Sequence, residues 1–412
     1  MDLKRVALVE WNWKGHHPTY FALFILALQE LNVEVLAICP RPDQAQQMVS
    51  KLRAERGLAP VRDNQTAYRE ITIYQPRFQG IRRAPIISPM DWTLRHFRSI
   101  EGEIKKWQGE SRKPVDLVFY ACIFDWDFEL LRFIQPFLTL PWSGLYLLMG
   151  ALRRPGQPGP VTGRVPVPEK IFCGPLCKGA VTLDEGMKTQ FASVIGKPVV
   201  VFPDLTDEHF PSNEGGRALE KRLRDFARGR PIVGLFGFLM ESKGICPLAL
   251  VSQQPSMAET CFAFGGELPL QNYSSEKAAM LAETLATGPN IWSHLIRIPE
   301  EEQLNSVMSA CDVLYAAYLD FPNSSNILNK AALLKKPVIV SDGYLMAERV
   351  RHFRMGEVVP QGDIDAIAKA ITKITRNPDA WLAENQPRWS DYIQEHSFAR
   401  LQEAFQKLLA SL

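Results

Sequence analysis

Short apolar runs alternate along this chain with longer stretches in which apolar residues return every three or four positions. The first pattern is that of a buried strand, the second that of an amphipathic helix. In the first half, strands are predicted at Arg5–Val9, Val33–Cys39, Asp116–Tyr120, Ser143–Leu148, Gly179–Leu183 and Pro198–Phe202, with helices between most of them, such as Thr19–Leu31 and Glu185–Ile195. The second half restarts with strands predicted at Ile232–Phe236, Thr260–Phe264, Ile291–Ile296, Val313–Tyr318 and Pro337–Val340, and a last one near Val358–Val359. Such alternation implies an α/β protein built on parallel sheets. Asp204 to Arg230 is charged, holds Gly215-Gly216 and shows no strand pattern, so residues 206–230 read as a linker between a first domain, 1–205, and a second, 231–378. The stretch 379–412 is helical in pattern and rich in Trp and Phe, and is expected to cross back toward the first domain.

Four loops carry candidate chemistry. In Asp320 to Asp342, DFPNSSNILNKAALLKKPVIVSD, a polar cluster follows a strand, Ile327, Leu328, Ala331, Ala332 and Leu334 repeat at helical spacing, and Pro337 stops the helix before a buried strand. The hydroxyls of Ser324 and Ser325 and the N–H groups of a helix starting at Asn326 then lie at a strand's carboxyl end, where helix dipole and donors favour an anion. In PIVGLFGFLMESKG, Pro231 to Gly244, glycines follow a short strand and Lys243 precedes the next helix. The turn Glu10 to Pro18, with Trp13, Gly15, His16 and His17, sits between a strand and an amphipathic helix, at the mouth where open α/β sheets bind ligands. Arg153 to Pro168 is dense in Pro and Gly; Arg153-Arg154 either meets an acidic acceptor or membrane surface, or forms a solvated turn.

Composition narrows the function without redirecting it. At 412 residues, 46% hydrophobic, 22% charged and with a formal net charge of +2, the chain suggests two or three globular domains and offers no basic patch for nucleic acid. The apolar run at the start is too short for a signal peptide, and no segment approaches the roughly 20 apolar residues of a membrane span, so a cytoplasmic protein is expected. Seven cysteines, an odd number, fit reduced core thiols, and Cys173 and Cys177 lack a second ligand pair for zinc. No metal-ligand cluster is visible.

Two Rossmann-like halves, a linker and a returning C-terminal helix resemble the plan of GT-B fold glycosyltransferases, with a cleft between the domains. The second half resembles the donor domain of the retaining, metal-independent "glycosyl transferases group 1" family in GLFGFLMESKG (Gly234–Gly244), FGGEL (Phe264–Leu268), IPEEEQLNSVMSACDVLYAAY (Ile298–Tyr318) and NSSNILNKAALLKKPVIVSD (Asn323–Asp342); VVVFPDLTD (Val199–Asp207) resembles the end of that family's first domain. The resemblance implies that Lys243 grips a donor diphosphate, with Gly237, Gly265, Gly266, Glu267, Arg297, Ser324, Ser325, Asn326 and Lys330 also on the donor. It puts the nucleobase on backbone near Ile296–Ile298. The family's Arg falls on Phe238, and its Glu-x7-Glu pair on Pro322 and Lys330. Asp320 stands in for the first Glu, or caps a turn; Lys330 contacts a phosphate, or is a solvated helix residue. Glu267 faces the ligand, or is an exposed loop residue.

His16, His17, Asp320 and Asp125 are the catalytic candidates, and Trp13, Gly15 and Asp127 the acceptor candidates; Asp125 and Asp127 in FDWDF face the acceptor or cap the next helix. The expected function is transfer of a sugar from a nucleoside-diphosphate donor to a glycan, lipid or small-molecule acceptor, with retention and without cofactor or metal. A non-catalytic module that binds a nucleotide or glycan, or supports a partner enzyme, is the main rival; a sugar-nucleotide epimerase or phosphorylase is a third reading.

Overall fold

The computed structural model describes residues 4–13, 15, 17–62, 65–71, 87–123, 139–147, 153–154, 157–158 and 168–411, and for 87–94, 154, 157–158 and 168–170 the backbone alone. The chain divides into two compact units, Met1–Pro203 with Ser397–Leu412, and Asp204–His396.

The first unit is built on a 7-stranded sheet of order β3-β2-β1-β4-β5-β8-β9: β1 (Arg5–Val9), β2 (Glu34–Cys39), β3 (Thr66–Glu70), β4 (Leu117–Ile123), β5 (Trp142–Tyr146), β8 (Ala180–Thr182) and β9 (Val199–Val201). Every neighbouring pair in it is parallel. A small antiparallel hairpin pairs β6 (Arg153–Arg154) with β7 (Gln157–Pro158). Its helices include α1 (His17–Glu30), α2 (Pro42–Glu55), α3 (Ile87–Ser111) and α4 (Lys188–Ile195).

Adjacent side chains of a strand point to opposite faces, and β4 uses this to build two aromatic layers. Phe119 meets Phe24 of α1 and stacks on Phe202, while Tyr120 on the other face meets Trp11, Phe97 and Trp142. The final helix, Phe398–Ala410, adds Phe405 to the first layer, 4.6 Å from Phe202 between ring centroids.

The second unit carries a 6-stranded sheet of order β12-β11-β10-β13-β14-β15, again parallel throughout: β10 (Ile232–Phe236), β11 (Cys261–Gly265), β12 (Ile291–His294), β13 (Val313–Ala316), β14 (Val338–Ser341) and β15 (Gly356–Val359). Its helices are α5 (Ala218–Ala227), α6 (Ile245–Ser252), α7 (Ser275–Thr287), α8 (Glu301–Ser309), α9 (Ile327–Leu334), α10 (Leu345–Phe353), α11 (Ile364–Arg376), α12 (Pro378–Asn385) and α13 (Trp389–Glu395); Phe398–Ala410 is α14. β10, β11, β13 and β14 are wholly buried, as strands covered on both faces are.

The structure corrects three expectations. Residues 206–230 do not form a detached linker: α5 buries Leu223 and Ala227 in the core of the second unit, because apolar positions 219, 223, 226 and 227 of a charged sequence share one helix face. Of the stretch 379–412, α12 and α13 stay with the second unit and only α14 belongs to the first. Arg153 is neither a solvated turn residue nor presented to a membrane; its guanidinium forms an ion pair with the buried carboxylate of Asp184, which also caps the 3-10 turn at Glu185–Met187. No described helix is long and apolar enough to cross a membrane.

None of the seven cysteines is in a disulfide, and all but Cys173 are buried. Burial pushes the thiols of Cys177 and Cys261 each up to about 11. Because the thiolate is the reactive form, native protein treated with a chromogenic disulfide reagent should titrate one thiol rapidly and the others only after denaturation. Loss of the fast phase in Cys173→Ser identifies it; several fast thiols in the native protein would contradict the buried placements.

Candidate functional site

In a parallel sheet the carboxyl ends of all strands, and the helix starts that follow them, lie along one edge, and ligands bind where the strand order reverses. That reversal falls between β1 and β4 in the first unit and between β10 and β13 in the second. The turns expected from sequence to carry chemistry leave β1, β10 and β13 at these places, and β11 beside β10.

In the second unit the turns are knit by backbone. Gly237 N–H donates to Gly265 O at 2.9 Å, Leu239 N–H to Glu267 O at 2.8 Å and Gly266 N–H to His294 O at 2.9 Å. Gly237 and Gly266 have φ of 108° and 130°, and a Cβ on Gly266 would stand 1.9 Å from the Gly237 carbonyl oxygen. Only glycine satisfies both demands. Beyond Gly237 a 3-10 turn, Glu241–Lys243, ends at Gly244 with φ 72° and opens α6. Lys243 is half-buried; its Nζ donates to the Tyr318 hydroxyl at 3.0 Å and lies 4.3 Å from the centre of that ring. The turn after β10 and the loop after β13 are therefore neighbours, joined also by Leu319 N–H donating to Ser242 O at 2.8 Å.

The residues of the β13 loop divide between the edge and the interior. Asp320 adopts φ 48° and is exposed; its N–H donates to Gln361 and its carboxylate accepts from the Tyr344 hydroxyl. Burial, then that carboxylate, raises the Tyr344 phenol well above its ordinary value. Ser324 is committed inward: its hydroxyl donates to Asp204 Oδ2 and accepts from Arg349 Nη1 at 2.7 Å. Its single proton is given to Asp204 in this arrangement, whereas the sequence led to a hydroxyl presented to an anion. Lys330 is corrected as well. It is neither solvated nor presented to a phosphate, being 3% exposed, with Nζ 2.9 Å from Glu301 Oε2 and 3.1 Å from Asp207 O. Ser325 and Asn326 lie at the start of α9, where the Asn326 side chain makes no capping bond to the helix. Glu267 and Arg297 are exposed, the latter in the loop after β12 beside Ile296, which is 65% exposed.

In the first unit His17 opens α1 with both ring nitrogens engaged: Nδ1 lies 2.9 Å from Glu10 Oε2 and Nε2 3.2 Å from Asn12 Nδ2. Glu10, at the end of β1, is 2% exposed and also accepts from Asn12 N–H. Trp13 Nε1 donates to Gln44 of α2 at 2.9 Å, and Gly15 turns with φ 60°. His16, Asp125 and Asp127 lie outside the described residues. Among the described residues no group of three His, Cys, Asp or Glu could hold a metal ion.

Sequence reading missed Glu10, Asn12, Asp204, Tyr318 and Arg349. A signal existed for Arg349: it falls four residues after Leu345 and four before Phe353, on the buried face of α10.

No family model and no curated protein matches the chain. Solved structures do. HepE from Anabaena in complex with UDP is 14% identical with a TM-score of 0.64, over 100% of each chain. Sucrose-phosphate synthase from Thermosynechococcus elongatus is 16% identical with a TM-score of 0.68, over 99% of this chain and 100% of that one. WaaG, a glycosyltransferase involved in lipopolysaccharide biosynthesis, is 11% identical with a TM-score of 0.61, over 98% and 99%. At these identities the likeness shows the fold: the chain has the α/β fold of GT-B glycosyltransferases, as its motifs suggest.

Lys330 offers a direct test of its interior role. Lys330→Met removes one partner of an ion pair and the donor to Asp207 O, and should lower stability by about 1–3 kcal/mol in urea unfolding. A solvated helix lysine would change it by less than about 0.5 kcal/mol.

Proposed function

We propose that the protein is a glycosyltransferase that moves a sugar from a nucleoside-diphosphate donor to an acceptor hydroxyl, with retention of anomeric configuration and without a metal ion. The observation that carries this reading is the convergence of the Gly237–Gly266 backbone contact, Lys243 and the first residues of the loop that leads from β13 to α9, at the strand-order reversal of the second sheet. Backbone stripped of side chains lets a diphosphate approach closely, and a lysine with a helix start offers it charge and donors. HepE, which shares the fold, has been captured with UDP and with UDP-glucose, and a nucleotide sugar suits the same edge here.

In the reaction, negative charge grows on the departing diphosphate, and Lys243, the Ser325 hydroxyl and the first N–H groups of α9 stabilise it. Lys243 is held on Tyr318 until a stronger acceptor replaces the phenol oxygen. The attacking hydroxyl enters on the face the diphosphate leaves. Acceptor recognition falls to the first unit, at the β1 turn with Trp13, Gly15 and His17, with His16, Asp125 and Asp127 as further candidates. The nucleobase lies along Ile296–Ile298 with Arg297, and Asp320 and Glu267 face the sugar. The second reading, a nucleotide-binding module without transfer, draws on Lys330, which stands where the family places a Glu and is held inside by Glu301.

Incubating the protein with a panel of nucleotide sugars and analysing products by mass spectrometry separates the two readings. Transfer or donor hydrolysis supports the enzyme; binding without turnover supports the module. Proton NMR of the product anomer tests retention, and unchanged turnover in chelator tests metal independence.

Lys243→Ala should leave the fold intact and weaken nucleoside diphosphate binding by about 2–5 kcal/mol, the cost of removing one partner of a desolvated charge pair. Unchanged affinity in calorimetry would move the diphosphate elsewhere.

His17→Gln should lower turnover more than donor affinity, since donor contacts lie in the second unit. Full activity in this variant would make His17 scaffold.

A further inference from the structure

Arg349 is the largest charged side chain buried in the second unit, 1% exposed on a face of α10 otherwise filled by Leu345, Val350 and Phe353. A guanidinium so placed is costly unless paired and hydrogen-bonded. Its Nη1 lies 3.7 Å from Asp204 Oδ2 and donates to Ser324 Oγ at 2.7 Å, while the Ser324 hydroxyl donates to the same Asp204 oxygen. Asp204, 3% exposed, is fixed in turn by its own N–H, which donates to His396 Nδ1 at 3.0 Å. Two residues distant in sequence, Asp204 and Arg349, thus converge on one hydroxyl, and that hydroxyl sits in the loop that leads into α9.

We propose that Asp204 and Arg349 are positioning residues for the anion-binding start of α9, acting through Ser324, whose hydroxyl is a structural pin and not a ligand for phosphate. The inference rests on reading that edge as the diphosphate site. The geometry supplies its logic. A serine hydroxyl has one proton. Here it is donated to a carboxylate, and one of the two oxygen lone pairs accepts from a guanidinium, so rotation about the side chain is restrained from both sides. A buried polar network with satisfied members has one low-energy arrangement, and a loop tied to it inherits that arrangement. The tie fixes the direction of the next residue, Ser325, and of the first N–H groups of α9, so the donors are aimed before any ligand arrives. The order in which the binding groups lose strength then differs from that of direct contacts: Asp204 and Ser324 act as one device.

A double-mutant cycle tests this. Asp204→Asn, Ser324→Ala and the double variant are titrated calorimetrically with UDP, GDP and ADP and with the corresponding nucleosides, alongside thermal unfolding. For the nucleotide the wild type binds best, each single variant should lose about tenfold in affinity, on the scale of one hydrogen bond to a charged group. The double variant should lose little more than the worse single, and nucleoside affinity should hold. Arg349→Lys, which keeps the charge without the fork, should fall between wild type and Arg349→Met. Multiplying losses in the double variant would mean that Ser324 touches the phosphate itself and would overturn the inference while keeping the site. Unchanged affinity in both single variants, or equal loss for nucleoside and diphosphate, would overturn it as well. A wild type that binds none of the three diphosphates overturns the underlying reading and the inference with it.

Discussion

The candidate site rests on one close approach, that of the Gly237 carbonyl to Gly266. The 1.9 Å that would separate a Cβ on Gly266 from that oxygen leaves no room for any side chain. Two turns that would otherwise stand apart are therefore in contact, and the Gly237–Gly265 and Leu239–Glu267 hydrogen bonds lock them. From that lock the chain has only a short 3-10 turn before α6, and Lys243 is delivered to Tyr318. Parallel pairing of β10 with β11 and β13 makes the approach useful, since it sets the three turns on one edge.

Charged residues inside the second unit act on one segment. Lys330 Nζ and Asn305 Nδ2 both donate to Asp207 O, Asn305 also to His209 O, and Arg349 approaches Asp204. Residues 204–209 have few apolar side chains to hold them, so the unit secures this segment with buried donors. Lys330, expected from sequence at a phosphate or in solvent, is thereby accounted for, and so is the buried Arg349. Each carries a neighbouring carboxylate, as the cost of burying a lone charge demands: Glu301 for Lys330 and Asp204 for Arg349.

This explains what could be read from the sequence and what could not. Ile232–Phe236 is an unbroken apolar run between a proline and a glycine, and it is a strand over those residues. Thr66–Glu70 escaped because it is an edge strand of half-exposed residues, held by backbone bonds to β2 that leave no apolar signature. The helix α5 was hidden by its charge, which occupies the solvent face of an amphipathic pattern. At the site, glycines and Lys243 were legible because their chemistry is local to one turn. Ser324 was legible as a loop hydroxyl, but its partners lie 120 residues before it and 25 after it, and side-chain pairing across such distances has no period to reveal it.

The first unit poses the sharper chemical question, because His17 is held at both nitrogens. A carboxylate at Nδ1 and an amide N–H at Nε2 suit the tautomer in which Nδ1–H donates to Glu10 and the Nε2 lone pair faces Asn12. An imidazole so braced has one orientation, with a carboxylate beside Nδ1. To accept a proton from a hydroxyl at Nε2 it must first release Asn12, a bond of 3.2 Å to a neutral donor and the weaker of the two restraints. The same pair can instead serve only to fix the start of α1, so that the turn from Trp11 to Gly15 presents its backbone in one conformation. The two roles differ in what turnover does when the ring is replaced by an amide that preserves the hydrogen bonds: proton transfer is lost, whereas a brace survives.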